Sequence, residues 1–117
     1  MTAPAGEAQV RHAARVALDK RALDLVVLDV QGVSGIADYF LVCSGGSTTH
    51  IKTIADAIRD ELRSQGVRPR HTEGVPESGW VLLDYGTVLV HVFLEDTRVY
   101  YALERLWGDA PLLSIER

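Results

Sequence analysis

The sequence predicts an α/β domain, an α-β-α layered arrangement around a mixed five-stranded sheet with elements in the order α-β-β-α-β-β-β-α. Three observations carry this expectation. Trp80 to Leu94, WVLLDYGTVLVHVFL, is two apolar runs separated by Asp84-Tyr85-Gly86-Thr87. Gly86 can take the positive φ of a tight turn, so the stretch reads as a β-hairpin. Neither run alternates cleanly between apolar and polar residues, which is the habit of strands covered on both faces. Finally, stretches with helical spacing are interleaved with extended apolar runs, and helices placed between strands call for a layered sheet.

Taken in order, residues 1–6 are small, include Pro4 and Gly6, and are expected to fray. From Glu7 to Lys20, Val10, Ala13, Ala14, Ala17 and Leu18 share one helical face. That face is narrow and Ala-rich, so the helix can lie close against a sheet. Leu23 to Val30 reads as a strand with Asp24 and Asp29 near its ends, and Gln31 to Gly35 as a loop. Asp38 to Ser44 is a second buried strand, in which Cys43 is expected as a small core residue. Gly45-Gly46-Ser47 then opens the clearest helix, capped by Ser47 or Thr48. Ile51, Ile54, Ala55, Ile58 and Leu62 form its buried stripe, and Gly66 ends it.

Val67 to Thr72 is at best a short strand, and Pro69 confines it to a sheet edge. Glu73 to Gly79 is a turn-rich loop before the hairpin. Asp96 or Thr97 is expected to cap a final helix with Val99, Ala102, Leu103 and Leu106 on its apolar stripe and Gly108 past its end. The tail from 109 to 117 carries Leu112, Leu113 and Ile115, and either docks on the body or pairs with a neighbour.

At 117 residues the chain is expected to be one domain, spanning 1–117, with a core large enough to need no metal or disulfide staple. A single cysteine excludes an intrachain disulfide and suits a reducing interior. The N-terminal stretch has scattered charges and no apolar core, unlike a signal peptide, and no run is long enough to span a bilayer. A soluble, cytoplasmic protein without membrane contact is the expectation. The formal net charge is −4, and the densest basic patch, Arg68-Pro69-Arg70-His71, is short. Backbone binding to nucleic acid draws on cation clusters, so direct DNA binding is not expected. An acidic domain is better suited to a basic protein partner.

Bare amides at a helix start bind phosphate, which draws attention to Gly45-Gly46-Ser47. The Gly-Lys-Ser/Thr ending of a P-loop is absent. The turn is closer to the Gly-Ser turn of the nucleotidyltransferase fold. Those enzymes need two carboxylates on the next strand to hold Mg²⁺. Here that strand has Arg68 and Arg70 and no acidic pair. Gly45, Gly46 and Ser47 are therefore expected to be scaffold or, at most, a weak anion site. His12, His50, His71 and His91 lack ligand spacing, and His91 reads as a hydrogen-bonded core histidine. No catalytic residue, metal or cofactor is expected.

What remains is a surface formed by Trp80, Asp84, Tyr85 and the exposed flank of the last helix, where Arg98, Tyr101 and Arg105 are spaced to share one side. Trp80 and Tyr85 have two readings at this point. They are amphipathic residues pinning the strand ends, or they form a sticky patch, since Trp and Tyr supply much of the energy at protein interfaces.

The residues that carry a family likeness are Asp29-Val30-Gln31-Gly32, Asp38-Tyr39-Phe40, Ser44-Gly45 and Glu73-Gly74. Trp80 to Gly86, Val90 to Phe93 and Tyr101 to Trp107 complete the set. In this order and spacing the chain resembles the ribosomal silencing factor (Iojap) family over about Leu23 to Trp107. Ala37 stands where a hydroxyl residue is common before Asp38. The resemblance implies a nucleotidyltransferase-like fold that has lost its catalytic acids. It implies binding to the large ribosomal subunit through large-subunit ribosomal protein fourteen, a block on small-subunit joining, and lowered translation when nutrients are scarce. It also implies homodimers and places the family's interface tryptophan on Trp80, with the Asp84-Tyr85 turn beside it. The rivals are a surviving nucleotidyl- or phosphoryl-transfer enzyme on the glycine turn and a generic protein-binding adaptor.

Overall fold

The run Val88–Leu94 lies at the centre of the sheet and is buried at every position except its last. A strand so placed must be apolar on both faces, and its sequence, VLVHVFL, breaks that rule only at His91. The computed structural model describes residues 5–32, 35, 37–102 and 110–115. Its elements are α1 (Ala5–Asp19), β1 (Leu23–Asp29), β2 (Tyr39–Gly45), α2 (Thr48–Ser64), β3 (His71–Glu73), a 3₁₀ turn (Pro76–Ser78), β4 (Trp80–Asp84), β5 (Val88–Leu94) and α3 (Glu95–Tyr101). The five strands lie in the order β1-β2-β5-β4-β3. Only β2 and β5 are parallel, and the other pairs are antiparallel, so the sheet is mixed.

Period-two alternation sorts the side chains onto two faces. Leu41, Cys43, Val81, Leu83, Val88, Val90 and Val92 point to one face, which α1 covers with Val10, Ala13, Ala14 and Ala17. On α2, Ile51, Ile54, Ala55, Ile58 and Leu62 pack onto the same face, as the helical stripe predicts. The second face carries Leu28, Val30, Phe40, Val42, Leu89 and Phe93, with Ala110 of the tail packed among them. Alternation puts Ser44 there too, and α3 lies against it through Arg98. Burial pushes the Cys43 thiol up to about 12, in keeping with a core cysteine.

The joints explain why these residues adopt these elements. Ser47 caps α2, its Oγ accepting from the His50 amide at 3.0 Å. At the other end Gly66 and Val67 donate to Arg63 and Leu62 carbonyls at 2.9 Å, closing the helix. Gly45 lets α2 approach β2, since a Cβ there would stand 2.7 Å from Ile51 Cγ2. In the hairpin, Tyr85 N–H donates to the Val88 carbonyl at 2.9 Å, which leaves Gly86 and Thr87 as the central turn residues. Gly86 has φ 87, the positive value that a type II′ turn needs at its first central position.

The tail question is answered. Asp29 N–H donates to the Pro111 carbonyl and Leu113 N–H to the Val27 carbonyl, both at 2.8 Å, around a bridge from Leu28 to Leu112. Residues 110–115 thus line the outer edge of β1, and Arg11 Nη1 reaches the Ser114 carbonyl at 2.9 Å. Leu113 and Ile115 pack against the helix-side core. An edge covered in this way is closed to stray strand pairing.

Four expectations need correction. Helix α1 begins at Ala5, taking in two residues expected to fray, while residues 1–4 lie outside the described residues. The edge strand is His71–Glu73 rather than Val67 to Thr72, because its register is set by pairing with Leu82 to Asp84 and not by the proline before it. Leu94 takes the N-cap position of α3 without a side-chain bond, so neither Asp96 nor Thr97 caps it. Glu95 and Asp96 instead sit in the first turn, where the helix dipole favours them. Val99 is 78% exposed and does not belong to a buried stripe. Leu103, Arg105, Leu106 and Gly108 lie outside the described residues.

Candidate functional site

Strand β4 departs from the expectation of a hairpin covered on both sides. Val81 and Leu83 are buried toward the helices, whereas Trp80, Leu82 and Asp84 on the second face are only half-buried. Its outer neighbour β3 is three residues long and exposed throughout, so the sheet thins toward this corner. Register places His71 opposite Asp84 and Glu73 opposite Leu82, so these side chains share the second face.

Trp80 is pinned there on two sides. Its ring stacks on Phe93, centroids 5.1 Å apart and planes 26° apart. Its indole N–H donates to His91 Nδ1 at 3.2 Å. An indole N–H only donates, so Nδ1 must accept and the His91 proton must sit on Nε2. Burial holds the His91 pKa down at about 4, so the ring is neutral at pH 7. Phe40 meets the same imidazole edge-on at 5.5 Å. His91 is the hydrogen-bonded core histidine that the sequence suggests, and its work is to fix the indole. The result is a tryptophan ring whose rotamer is fixed from two sides.

Asp84 shapes the turn: its Oδ1 accepts from the Gly86 amide at 2.7 Å and from Arg70 Nε at 3.3 Å. Between β4 and the 3₁₀ turn lies a cleft of about 200 Å³ lined by Glu73, Gly74, Ser78, Trp80 and Leu82. His71 Nε2 lies 2.8 Å from Glu73 Oε1 at its edge. Leu82 was missed in the sequence, although counting two residues from Trp80 along a strand finds it. Glu73 could not be found so, because only the β3–β4 register brings it to Leu82.

Two other residues expected in the patch, Tyr85 and Arg98, lie elsewhere. Tyr85 packs with the helix-side core, on the opposite face from Trp80. The reason is the turn: with Gly86-Thr87 at its centre, Tyr85 still follows the alternation of Val81 and Leu83. Burial raises its phenol to about 12, and its hydroxyl finds no hydrogen-bond partner among the described residues. Arg98, expected on an exposed flank, is buried at 9% exposure and donates to Ser44 Oγ at 3.0 Å. A small hydroxyl side chain on β2 leaves room for the guanidinium and turns Val99 and Tyr100 outward. The Tyr101 side chain lies outside the described residues.

In the Gly45-Gly46-Ser47 turn, the Gly46 amide donates to His50 Nδ1 at 3.0 Å, and His50 Nε2 reaches the Lys20 carbonyl at 2.8 Å. A carbonyl only accepts, so Nε2 is the donor of this ring and Nδ1 the acceptor. The Gly46 amide is thus engaged within the chain. Among the described residues, no three His, Cys, Asp or Glu side chains converge to hold a metal. No helix among them is long and apolar enough to cross a membrane.

The fold and site define a small α/β domain that presents a preformed aromatic sheet face with a carboxylate beside it. A sequence model of the family described as "Ribosomal silencing factor during starvation" matches residues 3–117. The chain belongs to the ribosomal silencing factor family. It is 48% identical over 107 residues to ribosomal silencing factor RsfS of Bacillus subtilis, covering 92% of this chain and 91% of the relative. Chloroplastic Iojap of Zea mays is 33% identical over 102 residues, 87% of this chain and 44% of that longer protein. A crystal structure from Chromobacterium violaceum superposes with TM-score 0.84 at 30% identity, covering 95% and 92% of the two chains. One from Bacillus halodurans gives 0.82 at 36% identity, covering 93% and 99%.

Proposed function

We propose that this protein represses translation when nutrients are scarce, by docking on large-subunit ribosomal protein fourteen and standing where the small subunit must join. The docking face is the second face of the sheet around Trp80 and Leu82, and the helix-covered body is the obstacle. Family membership supports the ribosomal setting; cytoplasmic action and a homodimer are part of the same proposal. The observation that carries the docking face is a partly exposed indole held in place by Phe93 and His91.

Aromatic rings bury ~150–250 Å² in full, so the open third or less of Trp80 offers roughly 1–2 kcal/mol at ~25 cal/mol per Å². Leu82 adds to that. Little rotamer entropy is lost on docking, because the ring is already fixed. The net charge of −4 favours approach to a basic partner. No bond need be made or broken: tighter binding to free large subunits than to joined ribosomes is enough to shift the population.

Subunit joining followed by light scattering tests this. Large subunits preincubated with the protein should fail to form joined ribosomes, while Trp80→Ala should restore joining. Unimpeded joining at saturating wild-type protein would remove the steric reading.

A further inference from the structure

We propose that the cleft between the outer side of α2 and the Arg68-Pro69 segment binds a small phosphate ester with a hydroxyl beside the phosphate, a phosphorylated polyol. Such a site is independent of the docking face, because α2 covers the opposite side of the sheet from Trp80 and Leu82. Asp56, Arg59, Asp60 and Arg63 recur at three- and four-residue spacing, which sets them along one side of the helix. Gly66, at φ 80, turns the chain back, and Arg68 and Pro69 form the facing wall. These residues line a cleft of about 380 Å³, within the ~300–1,000 Å³ typical of small-molecule sites.

The lining selects the ligand. It holds three arginines against two aspartates, and Lys52 adds a further cation by pairing with Asp56 Oδ2 at 2.6 Å. A local cationic surplus in a chain of net charge −4 favours an anion here. Arg68 is exposed and makes no hydrogen bond or ion pair among the described residues. Arg59 and Arg63 each give one nitrogen to an aspartate, Nη2 to Asp56 Oδ1 at 2.6 Å and Nη2 to Asp60 Oδ1 at 3.1 Å. A guanidinium has five N–H donors, so both keep donors for a ligand, and surface pairs of this kind hold their partners weakly. Three guanidinium forks on one cleft suit a phosphate, which has an oxygen for each, better than a carboxylate, which has two. Asp60 is bound only through Oδ1 among the described residues. Its free oxygen repels a bare anion and accepts from a hydroxyl, which calls for a donor next to the phosphate. No aromatic ring is among the lining residues, so a nucleobase or an acyl chain gains little there.

The test titrates the isolated protein with glycerol phosphate while the arginine Nε–H signals are followed by NMR. Inorganic phosphate, glycerol and a uridine oligonucleotide serve as comparators. Saturable movement of the Arg59, Arg63 and Arg68 signals is expected with glycerol phosphate, at lower concentration than with inorganic phosphate, and none with glycerol. Arg68→Gln, at an exposed position, should keep the fold and weaken binding about tenfold, as loss of a charged hydrogen bond would. Asp60→Ala should narrow the preference for glycerol phosphate over inorganic phosphate. Still signals, movement confined to other residues, or an Arg68→Gln protein that binds as wild type overturns the proposal. Equal affinity for the two phosphates, unchanged in Asp60→Ala, marks a bare anion site and refutes the polyol. An oligonucleotide that moves the same signals at lower concentration than glycerol phosphate makes an RNA strand the occupant and refutes the small ligand. Large subunits take no part in these titrations, so the cleft and the docking face stand or fall separately.

Discussion

Acid should unfold this protein partly through one histidine. His91 is buried against Phe40 and Phe93, accepts from Trp80, and has its pKa lowered by burial from 6.5 to about 4. In the unfolded chain the same imidazole titrates near its ordinary value. Between those two values the unfolded state therefore binds more protons than the folded one. Stability is complete above about pH 6.5 and drains away as the pH falls toward 4. At ~1.4 kcal/mol per pH unit the loss sums to about 3 kcal/mol, a large part of the ~5–15 kcal/mol that holds a domain together.

The assay is urea unfolding of wild type and His91→Gln at pH 7 and pH 4.5. Glutamine carries no titrating charge, and its side-chain oxygen can accept the Trp80 N–H. Carboxylates titrate alike in both proteins, so the difference between them isolates position 91. Wild type should lose roughly 2–3 kcal/mol more than the variant over this interval. Equal losses would mean that His91 is not held neutral in the folded protein, and the account of how Trp80 is fixed would fall with it.

Other expectations concern the joints of the fold. Gly45→Ala should cost about 1–3 kcal/mol by overpacking, read as a lower urea midpoint, because the new methyl meets Ile51. Ser47→Ala should cost about 1 kcal/mol through loss of the α2 cap, measured the same way. Tyr85→Phe should be neutral or stabilising by up to ~1 kcal/mol, since the hydroxyl is buried without a partner among the described residues. It should also leave binding to large subunits unchanged, because Tyr85 faces the helices.

Local patterns carried most of the fold. The stripe from Ile51 to Leu62 and the apolar run of β5 each state their own environment, and Gly86 marks the turn. What eluded sequence reasoning depends on phase or on distant partners. Shifting the turn centre by one residue, to Gly86-Thr87, sends Tyr85 to the far side of the sheet from Trp80. Helix α3 runs from Glu95 to Tyr101 and ends at a left-handed Ala102, too short for its spacing to define an inner face. Ser44, 54 positions away, decides that Arg98 turns inward while Val99 stays out. Of the site, Trp80 announced itself by type. The bond from Asp84 to the Gly86 amide and the place of Glu73 opposite Leu82 needed the turn and the cross-strand register to be noticed.

The claim that the second sheet face is the docking surface is tested most directly by co-sedimentation with isolated large ribosomal subunits. Leu82→Glu, on that face, should lower binding at least ~30-fold with its fold intact by circular dichroism. Lys52→Glu and Arg63→Glu, on the exposed side of α2, should bind as wild type. The account is contradicted if the α2 variants abolish co-sedimentation while Leu82→Glu retains it.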